Sequence, residues 1–199
     1  YRQYERERFK GYKPVEKIIS KQSYQTHCVI GNEAYSMDDD KKTGMILLNN
    51  LLGGMGMNSR LNLAIREKYG FCYNIESNYT PFTDTGIIAI YLGTDNEYIE
   101  KSIHLVYKEL AKLRDMKLGQ QQLRKAKLQI IGQLAILQEV NVNEMLSIGK
   151  SYLYYNRVDT IEEIYKKIET ITSEDLYEIA NEVFNPNKMS MLIFKSIEK

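Results

Sequence analysis

The sequence is poor in the residues that run metal or thiol chemistry. Of its 199 residues only two are histidine, His27 and His104, and only two are cysteine, Cys28 and Cys72. The histidines stand far apart, and the chain contains no HxxEH, no HExxH and no carboxylate pair at ligand spacing. By itself it is therefore not expected to build a catalytic zinc site. The cysteines form no CxxC pair and no disulfide framework, so two free thiols in a reducing compartment is the simpler reading. A His27–Cys28 dyad fails because neighbouring strand residues point to opposite faces, and both histidines read as structural. No run of about 18 apolar residues occurs, so no membrane span is expected. Charge of one sign is also lacking: 27 basic against 26 acidic residues leave a net +1. That balance gives no electrostatic reason for a nucleic-acid or acidic-membrane partner. Nor are the 16 tyrosines interleaved with a basic stripe that would let them stack on bases. There is no internal repeat and no low-complexity tract. The chain opens at Tyr1 without a methionine or signal-like segment, which points to a piece of a longer protein. Cysteine usage and the lack of export features give a cytoplasmic bacterial location as the expectation.

What is present is enough for one generous domain or two small ones, with an ordinary 43% of hydrophobic residues. Residues 1–24 are polar and charged and are broken by Gly11 and Pro14. They read as a linker from a preceding domain, with one turn of helix, and residues 25–199 as the domain itself. A short β-prone run from Thr26 to Ile30 extends toward Tyr35. Asp38, Asp39 and Asp40 miss the calcium-loop template, whose sixth position would be Thr43 instead of glycine. They fit better as acidic neighbours of a helix start. That helix runs from Lys41 to Leu52 with Met45, Leu48 and Leu52 on one face. Gly53, Gly54 and Gly56 break it; Asn58 or Ser59 caps a second helix reaching Lys68, with Leu61, Ala64 and Ile65 inward. Gly70 suits the left-handed position that ends helices.

Two strands joined by a hairpin loop at 81–85 come next. In the first, Phe71, Tyr73, Ile75 and Tyr79 share one face; the second, Gly86 to Leu92, is almost wholly apolar and reads as central. Thr94 and Glu97 stand at capping-box spacing before an amphipathic helix with Ile99, Ile103, Val106, Leu110 and Leu113 inward. A longer helix from Gln120 to Gln138 turns Leu123, Ala126, Ile130, Leu134 and Leu137 to the core. Three shorter helices begin at Asn141 with Glu144, Thr160 with Glu163, and Thr172 with Asp175, the last ending before Pro186. Met189 to Phe194 closes the chain as a strand. The order of elements argues for an α+β fold, a mainly antiparallel β-sheet covered by helices on one face.

The chemistry concentrates between Gly53 and Tyr73. Gly54-Met55-Gly56-Met57-Asn58-Ser59 looks superficially like a phosphate loop, but it lacks the third glycine and the GK[ST] and follows a helix instead of a strand. A turn permitting close backbone packing accounts for it better. Arg66 lies on the second helix and Tyr73 seven residues later, just past Gly70. Taken singly they are a solvated helix residue and a core tyrosine. Held together at one mouth of the sheet, a guanidinium fork and a phenol can grip carbonyl oxygens and steady the charge of an attacked peptide bond.

LLGGMGMNSRLNLAIREKYGFCYNIES resembles the LGGG-x-x-SRL-x-x-x-(L/I)R-x-x-x-G-x-x-Y segment of the pitrilysin/insulinase family of zinc metallopeptidases, which includes mitochondrial processing peptidase. QTHCVIG, TDTGIIAIYLGTDNE and ITSEDLYEIANEVFNPNKMSMLIF are similar to its first strand, its later strand with helix start, and its C-terminal helix and strand. The likeness runs from about Gln25 to Lys199 and is to the second, non-metal-binding domain. It implies an enzyme of two similar halves, the first carrying HxxEH and a distal glutamate for zinc and water activation. The second half, this one, lends Arg66 and Tyr73 to orient a peptide substrate and stabilise the tetrahedral intermediate. The implied cofactor is zinc, held by a domain absent here. The implied partners are an N-terminal catalytic half or a homologous subunit, peptide substrates, and a further copy in a homodimer. The alternative is a non-catalytic assembly domain of the same fold, as in relatives that are core subunits of respiratory complexes.

Overall fold

A computed structural model describes residues 7–197. Five strands form one sheet in the order β1-β5-β2-β4-β3: β1 (Glu16–Lys21), β2 (Thr26–Ala34), β3 (Cys72–Pro81), β4 (Gly86–Thr94) and β5 (Ser190–Ser196). All neighbours are antiparallel except β1 and β5. The expected α+β architecture is therefore the observed one. The helices are α1 (Lys42–Gly53), α2 (Ile99–Asp115), α3 (Gln120–Gln138), α4 (Asn141–Tyr155), α5 (Ile161–Thr170) and α6 (Ser173–Val183), with a π-helical turn at Asn62–Glu67.

Alternation builds the core. Cys28 and Ile30 of β2 and Ile88, Ile90 and Leu92 of β4 point to one face and are fully buried under the helices. Met45, Leu48 and Leu52 of α1 meet them, together with Leu47, and the α2 stripe Val106, Leu110 and Leu113 is buried as its spacing requires. Burial raises the Cys28 thiol to about 12, with the neighbouring Cys72 adding to the effect, so it stays protonated and inert at neutral pH. The opposite face of the sheet leaves Val29 and Ile87 exposed. There Phe9 and Tyr12 border a shallow apolar hollow of about 610 Å³.

Several local expectations are corrected. Within the stretch read as a linker with a turn of helix, Glu16–Lys21 is instead strand β1, paired in parallel with β5. Its two apolar residues, Ile18 and Ile19, sit between charges because it is an edge strand. Residues 1–6 of that stretch lie outside the described residues. Leu137 is exposed because α3 outruns its packing partners at its C-terminal end. Asn141 is the first residue of α4 instead of its cap, and no side chain caps that helix.

The other two helix starts are as the spacing predicts: Thr160 with Glu163 and Thr172 with Asp175 form reciprocal capping boxes. The Thr172 hydroxyl accepts from the Asp175 N–H at 3.1 Å, and Asp175 accepts from the Thr172 N–H at 2.7 Å. Thr172→Ala is expected to lower stability by about 1 kcal/mol, read as a shifted urea midpoint with an unchanged slope.

Candidate substrate-binding site

The glycine turn positions the site by letting backbones meet. A Cβ on Gly53 would lie 2.7 Å from the Ser77 nitrogen of β3, so α1 can end against that strand only with glycine here. Asn58 Nδ2 then donates to Gln129 Oε1 of α3 at 2.9 Å, and Asn50 Nδ2 to Gln133 Oε1 at 2.6 Å. The following helical segment, 60–69, is pinned to α2 by Arg60, whose Nε lies 3.4 Å from the buried carboxylate of Glu109. Its central π turn was not foreseen; Leu61 and Ile65 are fully buried on its inner side, as expected.

Gly70 takes φ +66 and ends the segment in the left-handed conformation. Its N–H donates to the Arg66 carbonyl at 2.9 Å, and the Phe71 N–H to the Ile65 carbonyl at 3.4 Å. The chain thus folds back directly from the residue bearing the guanidinium into β3. Arg66 is exposed and makes no hydrogen bond or ion pair among the described residues.

Tyr73 does not share the buried face with Ile75. Cys72 pairs with Thr94 and Asn74 with Gly93, so the register skips Tyr73, a β-bulge that shifts the phase of alternation. Cys72 and Ile75 are buried while Tyr73 is 59% exposed. Its hydroxyl donates to Asp95 Oδ2 at 3.0 Å, which raises the Tyr73 phenol above its ordinary range. Arg66 and Tyr73 therefore flank the same reversal of the chain, both open to solvent and with no hydrogen bond to each other.

An aromatic ladder beside them was missed in the sequence. Tyr69 stacks on Phe71 with centroids 5.2 Å apart, and Phe71 on Tyr98 at 4.8 Å. Lys101 stands over Phe71 and Tyr98 at 5.8 and 5.6 Å. Asp95 was also missed, because Thr94 and Glu97 looked like the capping pair. Thr94 instead donates across to the Phe71 carbonyl, and Asp95 occupies the position before the helical turn Asn96–Tyr98 that leads into α2.

Among the described residues no group of three or more histidine, cysteine, aspartate or glutamate side chains could hold a metal ion. His27 bonds and stacks with Tyr91, Nδ1 to hydroxyl 2.8 Å, and His104 is exposed on α2. The described residues offer no donor set that fits zinc. No helix among the described residues is long and apolar enough to cross a membrane.

Residues 2–130 match the family model described as the peptidase M16 inactive domain. An uncharacterized zinc protease of Rickettsia felis is 30% identical over 180 residues, covering 88% of this chain and 42% of that protein. The uncharacterized zinc protease YmxG of Bacillus subtilis is 27% identical over 176 residues, covering 88% of this chain and 43% of that protein. A crystal structure of a peptidase M16 inactive domain from Pseudomonas fluorescens superposes with a TM-score of 0.84 at 25% identity, covering 96% of this chain and 46% of that one. The chain belongs to the peptidase M16 inactive-domain family. It spans less than half the length of these relatives.

Proposed function

We propose that this chain is the substrate-binding, non-metal-binding half of a zinc-dependent metalloendopeptidase, with the metal held by another domain. The observation that carries the reading is that Arg66, exposed and without a hydrogen bond or ion pair among the described residues, and the bulged, solvent-facing Tyr73 stand on either side of the Gly70 turn. A guanidinium without an internal acceptor keeps all its donors for a ligand, and a peptide carbonyl is a natural acceptor for them. Arg66 and Tyr73 orient the peptide backbone and stabilise the tetrahedral intermediate as it gains negative charge. The partner is a catalytic half of the same family, on the same chain or on a homologous subunit. The exposed Val29 and Ile87 mark an apolar sheet face of the kind such associations bury.

The test uses the complete protein that carries this chain and internally quenched peptides. Cleavage that stops with a chelator, returns with zinc and is crippled by Arg66→Ala supports the reading. A complete protein that binds no zinc and cleaves no peptide, alone or with a homologous subunit, establishes the alternative of a non-catalytic assembly domain.

A further inference from the structure

Asp95 sits where a helix cap belongs and does not act as one. It precedes the helical turn Asn96–Tyr98 with the extended backbone of a capping residue, φ −77 and ψ 155, yet its carboxylate accepts from no backbone N–H of that turn. Aspartate at such a position ordinarily satisfies one of the free N–H groups of the helix. Here it reaches instead across to the start of β3 and accepts a hydrogen bond from the Tyr73 hydroxyl at 3.0 Å. The bulge is what brings that hydroxyl out, since Tyr73 is the residue that the β3–β4 register skips.

A phenol has one proton and two lone pairs. We infer that Asp95 is a positioning residue for Tyr73: by holding the hydroxyl proton it leaves the phenolic oxygen as an acceptor for a main-chain N–H of the bound peptide, while Arg66 alone donates to a carbonyl. The inference rests on the peptide-holding reading above and narrows the share of Tyr73 to orienting the chain. Three considerations favour this division. A guanidinium has five donors and no acceptor, so Arg66 cannot serve a peptide N–H. A peptide backbone alternates donor and acceptor, so one fixed donor and one fixed acceptor read its direction as well as its presence. An oxyanion seated on the Tyr73 oxygen would also face the carboxylate of Asp95, and like charges at that range repel. The rise of the Tyr73 phenol above its ordinary range, caused first by this hydrogen bond to Asp95, agrees.

The experiment is steady-state hydrolysis by the complete zinc-loaded protein. Tyr73→Phe and Asp95→Ala are each expected to raise KM about tenfold, the loss of one oriented hydrogen bond, with kcat little changed. The double variant is expected to be no worse than either single one. Asp95→Asn, whose amide oxygen still accepts from the hydroxyl, restores most of the loss. An ester scan of the substrate gives a second readout: at one position, replacing N–H by oxygen costs the wild type about tenfold and costs Tyr73→Phe nothing. Wild-type KM in Asp95→Ala, additive losses in the double variant, or no N–H whose removal distinguishes wild type from Tyr73→Phe would each overturn the inference. If Arg66→Ala and Tyr73→Phe both hydrolyse peptides normally, it is the peptide-holding reading itself that fails. If they are impaired and Asp95→Ala is not, only the role of Asp95 falls.

Discussion

Arg66→Ala in the complete protein is expected to lower kcat/KM for peptide hydrolysis by about 10²–10³, with bound zinc unchanged. The size follows from what Arg66 does in the resting structure, which is nothing internal: it is exposed and has no partner among the described residues. Truncation therefore strands no buried partner, so the loss reads on the bound peptide and not on folding. Arg66→Lys should recover little of it, since an ammonium on a flexible stem does not reproduce a planar fork with parallel donors. Hydrolysis rates, metal content by atomic spectroscopy and an unchanged urea midpoint form the set of measurements. An Arg66→Ala protein with wild-type turnover would end the catalytic reading, whatever its relatives do.

Ile65→Ala is expected to cost about 2–5 kcal/mol of stability. Ile65 is fully buried in the main core cluster with Leu61 and Ile75, one residue before Arg66. Deleting its outer carbons loses the transfer energy of a buried side chain and leaves a cavity under a helix only about three turns long. Its other anchors are Leu61, the partly buried Ala64, the buried Asn62 and the Arg60–Glu109 pair at its start. Urea unfolding of the chain followed by circular dichroism measures the loss. A midpoint indistinguishable from wild type would mean that the segment is not held by its inner face. Because Ile65 also carries the carbonyl that accepts from Phe71, the complete protein with this substitution should lose part of its hydrolysis as well. Unlike that of Arg66→Ala, this loss comes with a lowered urea midpoint.

The parts of this fold that could be read from the sequence are those where period and cap chemistry agree. The α2 stripe from Ile99 to Leu113, the apolar run of β4 and the Thr160 and Thr172 capping boxes all have a local cause and need no distant partner. Strand β1 has no such cause. Glu16, Lys17 and Lys21 leave Ile18 and Ile19 as its whole apolar content, and only pairing with β5 makes it a strand. The site divides in the same way. Arg66, Gly70 and Tyr73 are visible as a spacing with a helix stop between them. The outward turn of Tyr73 is not, because a bulge shifts alternation by one residue without leaving a mark in residue type. Asp95 was hidden by a better-looking pair, Thr94 and Glu97, and its destination on another strand is a tertiary fact. The aromatic ladder joins Tyr69 and Phe71 to Tyr98, which meet only after the chain has crossed the sheet and returned.

The place of β5 in the sheet sets the order in which this molecule can be completed. It lies between β1 and β2, so β1 has no sheet neighbour, and β2 only β4, until β5 is in place. Loop-closure entropy for so distant a partner must be met before any ladder bond returns it. Before β5 is in place β2, β4 and β3 can assemble as a three-stranded sheet, while β1 has no strand to pair with. Until β5 pairs, the flank of β2 stays an open and adhesive edge.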